Sequence, residues 1–136
     1  MPQAPLLPFA APCLKAVFLQ RVKRFSIELE HNGQRLWAHS NNSGSMAGLL
    51  APGNPALISV APGKNRKLPY TLELVQADGV WVGVNTSIPN KMLAAAFTAG
   101  RLPWADGYTA FKREARCEPP HAHTRLDALL TGEGLP

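Results

Sequence analysis

Between residues 15 and 84, apolar and polar positions alternate in short runs separated by turn-forming pairs. Phe25, Ile27 and Leu29 fall on one side of an extended segment, and Ser26, Glu28 and Glu30 on the other, which is the period of a half-buried strand. Asn32-Gly33 turns the chain, and Arg35-Leu36-Trp37-Ala38-His39 returns as the partner. A second hairpin follows the same logic: Tyr70–Val75, an Asp78-Gly79 turn, then Val80–Val84. A two-residue hairpin turn needs positive φ, which Gly accepts because it has no Cβ to clash. Ala16–Leu19 and Ala56–Val60 add two further apolar runs of strand type. Ser40–Met46, with the Pro52-Gly53 turn beyond it, reads as loop. About five to six short strands punctuated by turns describe a small antiparallel barrel or sandwich, and a basic five-stranded barrel of the OB type fits best.

Near residue 85 the period changes. Pro89-Asn90 suits a helix start, Met92, Leu93, Ala96 and Phe97 fall at helical spacing, and Gly100 suits the helix end. Beyond Gly100 the text is mixed: Leu102–Tyr108 reads as loop, Ala110–Cys117 as a strand or short helix, and Arg125–Leu130 as a buried strand carrying one acid. The expected organisation is a flexible leader over 1–13, a barrel over 14–84 and an incomplete second domain over 85–136. The second unit is read as incomplete because a closing strand with no successor is a poor domain end.

Charge refines this picture. The net charge is +5, with 14 Lys/Arg against nine Asp/Glu, and all of the excess lies before Arg101. The clusters Arg21-Lys23-Arg24 and Lys64-Arg66-Lys67 bracket the barrel strands, a surface that attracts polyanions. Cys13 and Cys117 stand far apart without metal-ligand spacing, which fits a reducing, cytoplasmic setting rather than a disulfide framework. Pro2, Pro5, Pro8 and Pro12 break up the apolar leader, so no signal peptide is expected, and no run reaches transmembrane length.

The loop from His39 with Asn42, Gly44 and Met46 is one motif, and Arg66-Lys67 with Tyr70 and Glu73 is another. Trp81-Val82, Val84-Asn85-Thr86, Pro89-Asn90, Gly107-Tyr108, Glu114 and Arg125-Leu126-Asp127 follow in order. Together they resemble the sugar fermentation stimulation protein A family over about residues 14–130. The resemblance implies a mainly β N-terminal OB-type barrel, followed by the truncated start of an α/β restriction-endonuclease-like domain of the PD-(D/E)xK kind. It also implies DNA binding and a presumed regulatory link to sugar metabolism. Glu114 and Asp127 map onto the nuclease-like site, with Asp127 as the candidate metal ligand. Thr124 stands where the family has Ser, Ala128 where it has an aromatic residue, and the Glu-x-Lys segment that should follow is absent.

Metal-assisted cleavage needs carboxylates around a hard cation and a group to orient water, so the chain as given is not expected to hydrolyse DNA. No cofactor is expected here, whereas a longer form is expected to take Mg²⁺ or Mn²⁺. The leading reading is a DNA-binding module in which Arg21, Lys23, Arg24, Arg35, Lys64, Arg66 and Lys67 meet phosphates. The alternative is a metal-dependent nuclease whose barrel holds the substrate. A protein-docking barrel is a third reading, distinguished by binding that survives high salt. His39, Asn42 and Gly44 mark a candidate functional loop, although Asn42 and Gly44 also suit a plain turn. Glu114 among Lys112, Arg113 and Arg116 equally fits a solvated face, while Asp127 in an apolar strand calls for a partner such as Arg125 or a turn amide. His39 reads as structural rather than metal-binding. Trp37 and Trp81 can stack on bases or pack. No membrane partner is expected, and the oligomeric state is not legible.

Overall fold

A computed structural model of the chain describes residues 4–9, 11–61, 67–121 and 123–133. The chain divides into two compact units, Phe9–Thr86 and Ser87–Pro136 together with Met1–Pro8.

The first unit is a six-stranded sheet. Its strands are β1 (Cys13–Val22), β2 (Ser26–His31), β3 (Gln34–His39), β4 (Pro55–Val60), β5 (Tyr70–Ala77) and β6 (Val80–Gly83), in the order β3-β2-β1-β4-β5-β6. A further parallel pairing, Ala38 with Tyr70 and His39 with Thr71, joins β3 to β5 and closes the sheet into a barrel. The meander β1-β2-β3, the β1–β4 pairing and the parallel closure are the connectivity of an OB barrel, with β6 added as an outer hairpin strand.

Closure depends on β1 serving two neighbours. Cys13–Val17 pairs with β4 and Val17–Val22 with β2, and a register shift between Phe18 and Gln20 bends the strand where it changes partner. The strand is therefore longer than its apolar run Ala16–Leu19 indicates, and the supposed leader already contributes to the sheet at Cys13, with the Val60 amide donating to the Pro12 carbonyl. Both two-residue turns form as their sequences require, with positive φ at Asn32, Gly33, Asp78 and Gly79.

Ala16, Phe18, Ile27, Leu29, Ala38, Met46, Ala56, Ile58, Leu72, Val75 and Val84 form the core. Phe25 does not join Ile27 and Leu29 there. Lys23 and Arg24 both adopt left-handed φ, the chain turns before β2 begins, and the Phe25 ring is left 41% exposed.

The second unit holds the helix α1 (Ile88–Thr98), a short 3₁₀ turn over Pro103–Ala105 and the antiparallel pair β7 (Ala110–Arg116) and β8 (Arg125–Thr131). Phe97 of α1 packs on Phe111 of β7 with ring centroids 5.3 Å apart. Contrary to the sequence reading, β8 is not buried: Leu126 and Leu129 are exposed, because among the described residues β8 pairs with β7 alone and little packs on either face. No helix among the described residues is long and apolar enough to cross a membrane.

Leu29 is fully buried where β1, β2 and β3 meet the core. Leu29→Ala should lower the unfolding free energy by about 2–5 kcal/mol in a denaturant titration. A loss below about 1 kcal/mol would show that the barrel interior is not close-packed there.

Candidate nucleic-acid interface

The loops that carry charge sit where the OB topology puts them. The β1–β2 turn is Lys23-Arg24-Phe25, between the paired residues Val22 and Ser26. The β4–β5 connection carries the second basic cluster, of which Lys67 is described; Lys64 and Arg66 lie outside the described residues. These two connections, with the outer face of β2–β3, are the surfaces that OB barrels use for ligands.

Arg21 belongs to a different class from its neighbours. Its Nε donates to the Arg24 carbonyl at 2.6 Å, Nη2 to the Asn42 carbonyl at 2.8 Å, and Nη1 to the carbonyls of Gly44 and Ser45 at 2.9 and 3.4 Å. Four of the five guanidinium donors are therefore spent on backbone, and the side chain clamps the β1–β2 turn to the loop after β3. Lys23 and Arg24 sit on that clamped turn at φ 49° and 66°, a conformation that non-glycine residues adopt at a cost of about 1–2 kcal/mol each. The Phe25 amide, donating to the Lys23 carbonyl at 2.7 Å, completes the turn.

Along β3, Arg35, Trp37 and His39 share the outer face, opposite Glu30, Glu28 and Ser26 of β2. Arg35 is ion-paired with Glu28, whose side chain is only 5% exposed while that of Arg35 is 72% exposed. Gln20 Nε2 also donates to Glu28, at 2.7 Å. The Gln20 hydrogen bond, with Arg35 adding to it against the cost of burial, holds the Glu28 carboxyl below the usual glutamate range. Trp37 is 36% exposed, and His39 stacks on Phe25 with centroids 6.2 Å apart and planes 29° from parallel. Trp81, on β6, is 39% exposed and has the Lys15 ammonium 5.8 Å from its ring centre, a cation–π contact.

The His39–Gly44 loop is held by a buried polar chain. Ser59 Oγ and Asn85 Nδ2 donate to the two oxygens of Glu73 at 2.8 and 2.9 Å, and Asn41 Nδ2 donates to Asn85 Oδ1 at 2.7 Å. Asn41 Oδ1 in turn accepts from the Thr86 amide and hydroxyl. Asn42 Nδ2 donates to the Val84 carbonyl, and Asn42 Oδ1 accepts from the Gly44 amide at 2.9 Å. A Cβ at Gly44 would lie 3.1 Å from that same oxygen, so the turn is built tightly around Asn42. Asn42 and Gly44 thus shape the loop. The acid at 73 points inward because Leu57 pairs with Leu74 and Ile58 with Leu72, leaving Glu73 as the extra residue of a bulge. Cys13 lies near this carboxylate; burial first, then the charge of Glu73, pushes its thiol pKa up, which favours the protonated thiol.

In the second unit Glu114 and Asp127 fall opposite each other, since Arg113 pairs with Ala128 and Ala115 with Leu126. Glu114 has φ 51°, and Asp127 accepts from Asn90 Nδ2 at 3.3 Å; the partner is neither Arg125 nor a turn amide. Both acids are exposed, and the described residues contain no group of three or more metal-ligating side chains. The sequence did not separate the clamping Arg21 from the freer Arg24, and gave no role to Ser26 or Phe25. Nothing in a one-dimensional charge pattern distinguishes them.

A closed five-strand OB barrel with basic loops at the ligand positions defines a small OB domain, and the sequence model described as the SfsA N-terminal OB domain matches residues 19–84. The sugar fermentation stimulation protein homolog of Maridesulfovibrio salexigens is 49% identical over 129 residues, covering 95% of this chain and 52% of that protein. The homolog of Syntrophobacter fumaroxidans is 47% identical over 132 residues, covering 96% and 49%. The solved structure of Pyrococcus furiosus SfsA in complex with Ca²⁺ superposes with a TM-score of 0.77 at 24% identity, over 96% of this chain and 54% of that one. The chain belongs to the sugar fermentation stimulation protein family and spans about half the length of these relatives.

A carboxyl held low in the folded state stabilises the fold above its ordinary value, and that contribution is lost as pH falls through the lowered one. Wild-type stability should therefore decline on acidification below the ordinary glutamate value of 4.5 more steeply than that of Glu28→Gln. Thermal melts of both across that range check the sign; parallel curves would remove Glu28 from the acid limb.

Proposed function

We propose that this chain is a DNA-binding module that grips phosphates with the connections β1–β2 and β4–β5 of its barrel, in a family whose name links it to sugar metabolism and a presumed regulatory role. The observation that carries the reading is the Lys23-Arg24 turn. Two cations are held out in a costly left-handed conformation, secured from below by Arg21, at a position OB barrels use for ligands. Lys67 supports it from the second connection, and the stretch containing Lys64 and Arg66 adds charge in sequence. Arg35, already paired with Glu28, contributes less, and Arg21 acts by positioning. A reducing, cytoplasmic setting goes with this reading.

A second reading is favoured by one observation, the juxtaposition of Glu114 and Asp127 across β7–β8. In a longer form that also carries the Glu-x-Lys segment, such a pair would help hold Mg²⁺ or Mn²⁺ for phosphodiester hydrolysis; the Pyrococcus relative is described in complex with Ca²⁺. Among the described residues no third ligating side chain stands beside these two exposed carboxylates, and binding remains the reading the Lys23-Arg24 turn favours.

If about four cations neutralise phosphates on duplex DNA, log affinity should fall with log salt at a slope near −3.6. Reversal of Lys67 and Arg66 to Glu should weaken binding to every sequence alike and make the slope shallower, while Lys112→Glu in the second unit should leave it unchanged. Fluorescence anisotropy at several salt concentrations reads both effects. A slope near zero, or a reversed variant that binds as before, would assign the basic clusters to a solvated face.

A further inference from the structure

A pocket of about 320 Å³ opens at the rim of the barrel, lined by Ser26, His39, Lys67 and Leu68. Its volume is at the small end of the range of about 300–1,000 Å³ for small-ligand sites. Its chemistry is divided. Lys67 brings an ammonium with three donors, and Ser26 a hydroxyl. Leu68 and the imidazole of His39 supply the less polar wall, and Phe25 extends that wall by stacking on His39. Trp37 lies two residues before His39 on the same face of β3, about 6.7 Å along the strand. An indole and a Phe–His pair spaced in this way offer successive flat surfaces, and both Trp37 and Phe25 are more than a third exposed.

These rings present flat apolar area to solvent on the outer face, and a nucleobase stacked on an aromatic ring contributes about 1–3 kcal/mol. Only an unpaired strand can present its base faces; in a duplex they are hidden in the stack. We propose that the rim pocket holds one nucleotide of a single-stranded nucleic acid, its base against Phe25 and His39 and its phosphate on Lys67 and Ser26, with the neighbouring base on Trp37. The inference rests on the nucleic-acid reading of the barrel and adds to it the form of the ligand: unpaired bases are preferred to duplex.

The test compares a fluorescein-labelled twelve-residue oligo(dT) with a duplex of the same length, using the whole chain at one salt concentration. The single strand should bind about tenfold or more tightly. Phe25→Leu keeps apolar bulk but removes the π face, and Trp37→Ala removes the second platform. Each should cost about tenfold on the single strand and less than about twofold on the duplex. Phe25→Tyr should retain full single-strand affinity, and Lys67→Ala should weaken both ligands. Equal affinity for the two forms, or single-strand binding indifferent to Phe25→Leu and Trp37→Ala, would overturn the inference and leave phosphate binding by the loops standing. Absence of salt-dependent binding to either form would overturn the parent reading as well.

Discussion

A carboxylate buried against neutral donors is the constraint around which the barrel end is arranged. Glu73 is 7% exposed, and what compensates its desolvation is a pair of neutral donors, Ser59 and Asn85, one on each oxygen. Asn85 can serve only if its own amide oxygen is occupied, which Asn41 does, and Asn41 in turn is fixed by Thr86. The chain of bonds joins β4, β5, the exit of β6 and the loop after β3, so four separate segments must be in place before every group is satisfied. Such networks specify a unique arrangement because a half-satisfied one is worse than none. No buried side-chain nitrogen or oxygen among the described residues lacks a partner.

The consequence for function is indirect. With the loop after β3 fixed, its carbonyls at Asn42, Gly44 and Ser45 become a rigid receptor for Arg21, and Arg21 secures the Lys23-Arg24 turn through the Arg24 carbonyl. A polar core thereby supports a strained, cationic turn on the surface. Among the described basic residues of the barrel, Arg21 holds the turn, Arg35 is paired with Glu28 and Lys15 lies over Trp81, while Lys23, Arg24 and Lys67 have none of these roles.

Much of the fold is legible in the residues. Period-two alternation with Asn32-Gly33 and Asp78-Gly79 marks both hairpins, and Pro89 and Gly100 bound the helix, since local sterics decide these features. What the pattern misreads depends on tertiary geometry. Phe25 continues the alternation of Ile27 and Leu29, yet two left-handed residues before it take it out of register with the core. Glu73 alternates as a surface residue would, yet a bulge turns it inward. Leu126 and Leu129 look like core, but among the described residues the second unit has too little around them to cover both. The family resemblance rests partly on Asn42, Gly44, Glu73, Asn85 and Thr86, which the structure joins in the polar network and the loop it supports; their common purpose is invisible in one dimension because they lie up to 44 positions apart.

The central claim, that ligand meets the face bounded by the Lys23-Arg24 turn and β3, is tested most directly by the three tryptophans, each of which reports a different surface. Trp37 lies on the β2–β3 face, Trp81 on β6 and Trp104 in the second unit. In ¹⁵N-correlated NMR spectra of the whole chain titrated with a short oligonucleotide, the indole N–H of Trp37 and the backbone amides of Lys23, Arg24 and Lys67 should shift, while the indoles of Trp81 and Trp104 hold still. Shifts at Trp81 or Trp104 with Trp37 unmoved would contradict the account and put the interface elsewhere.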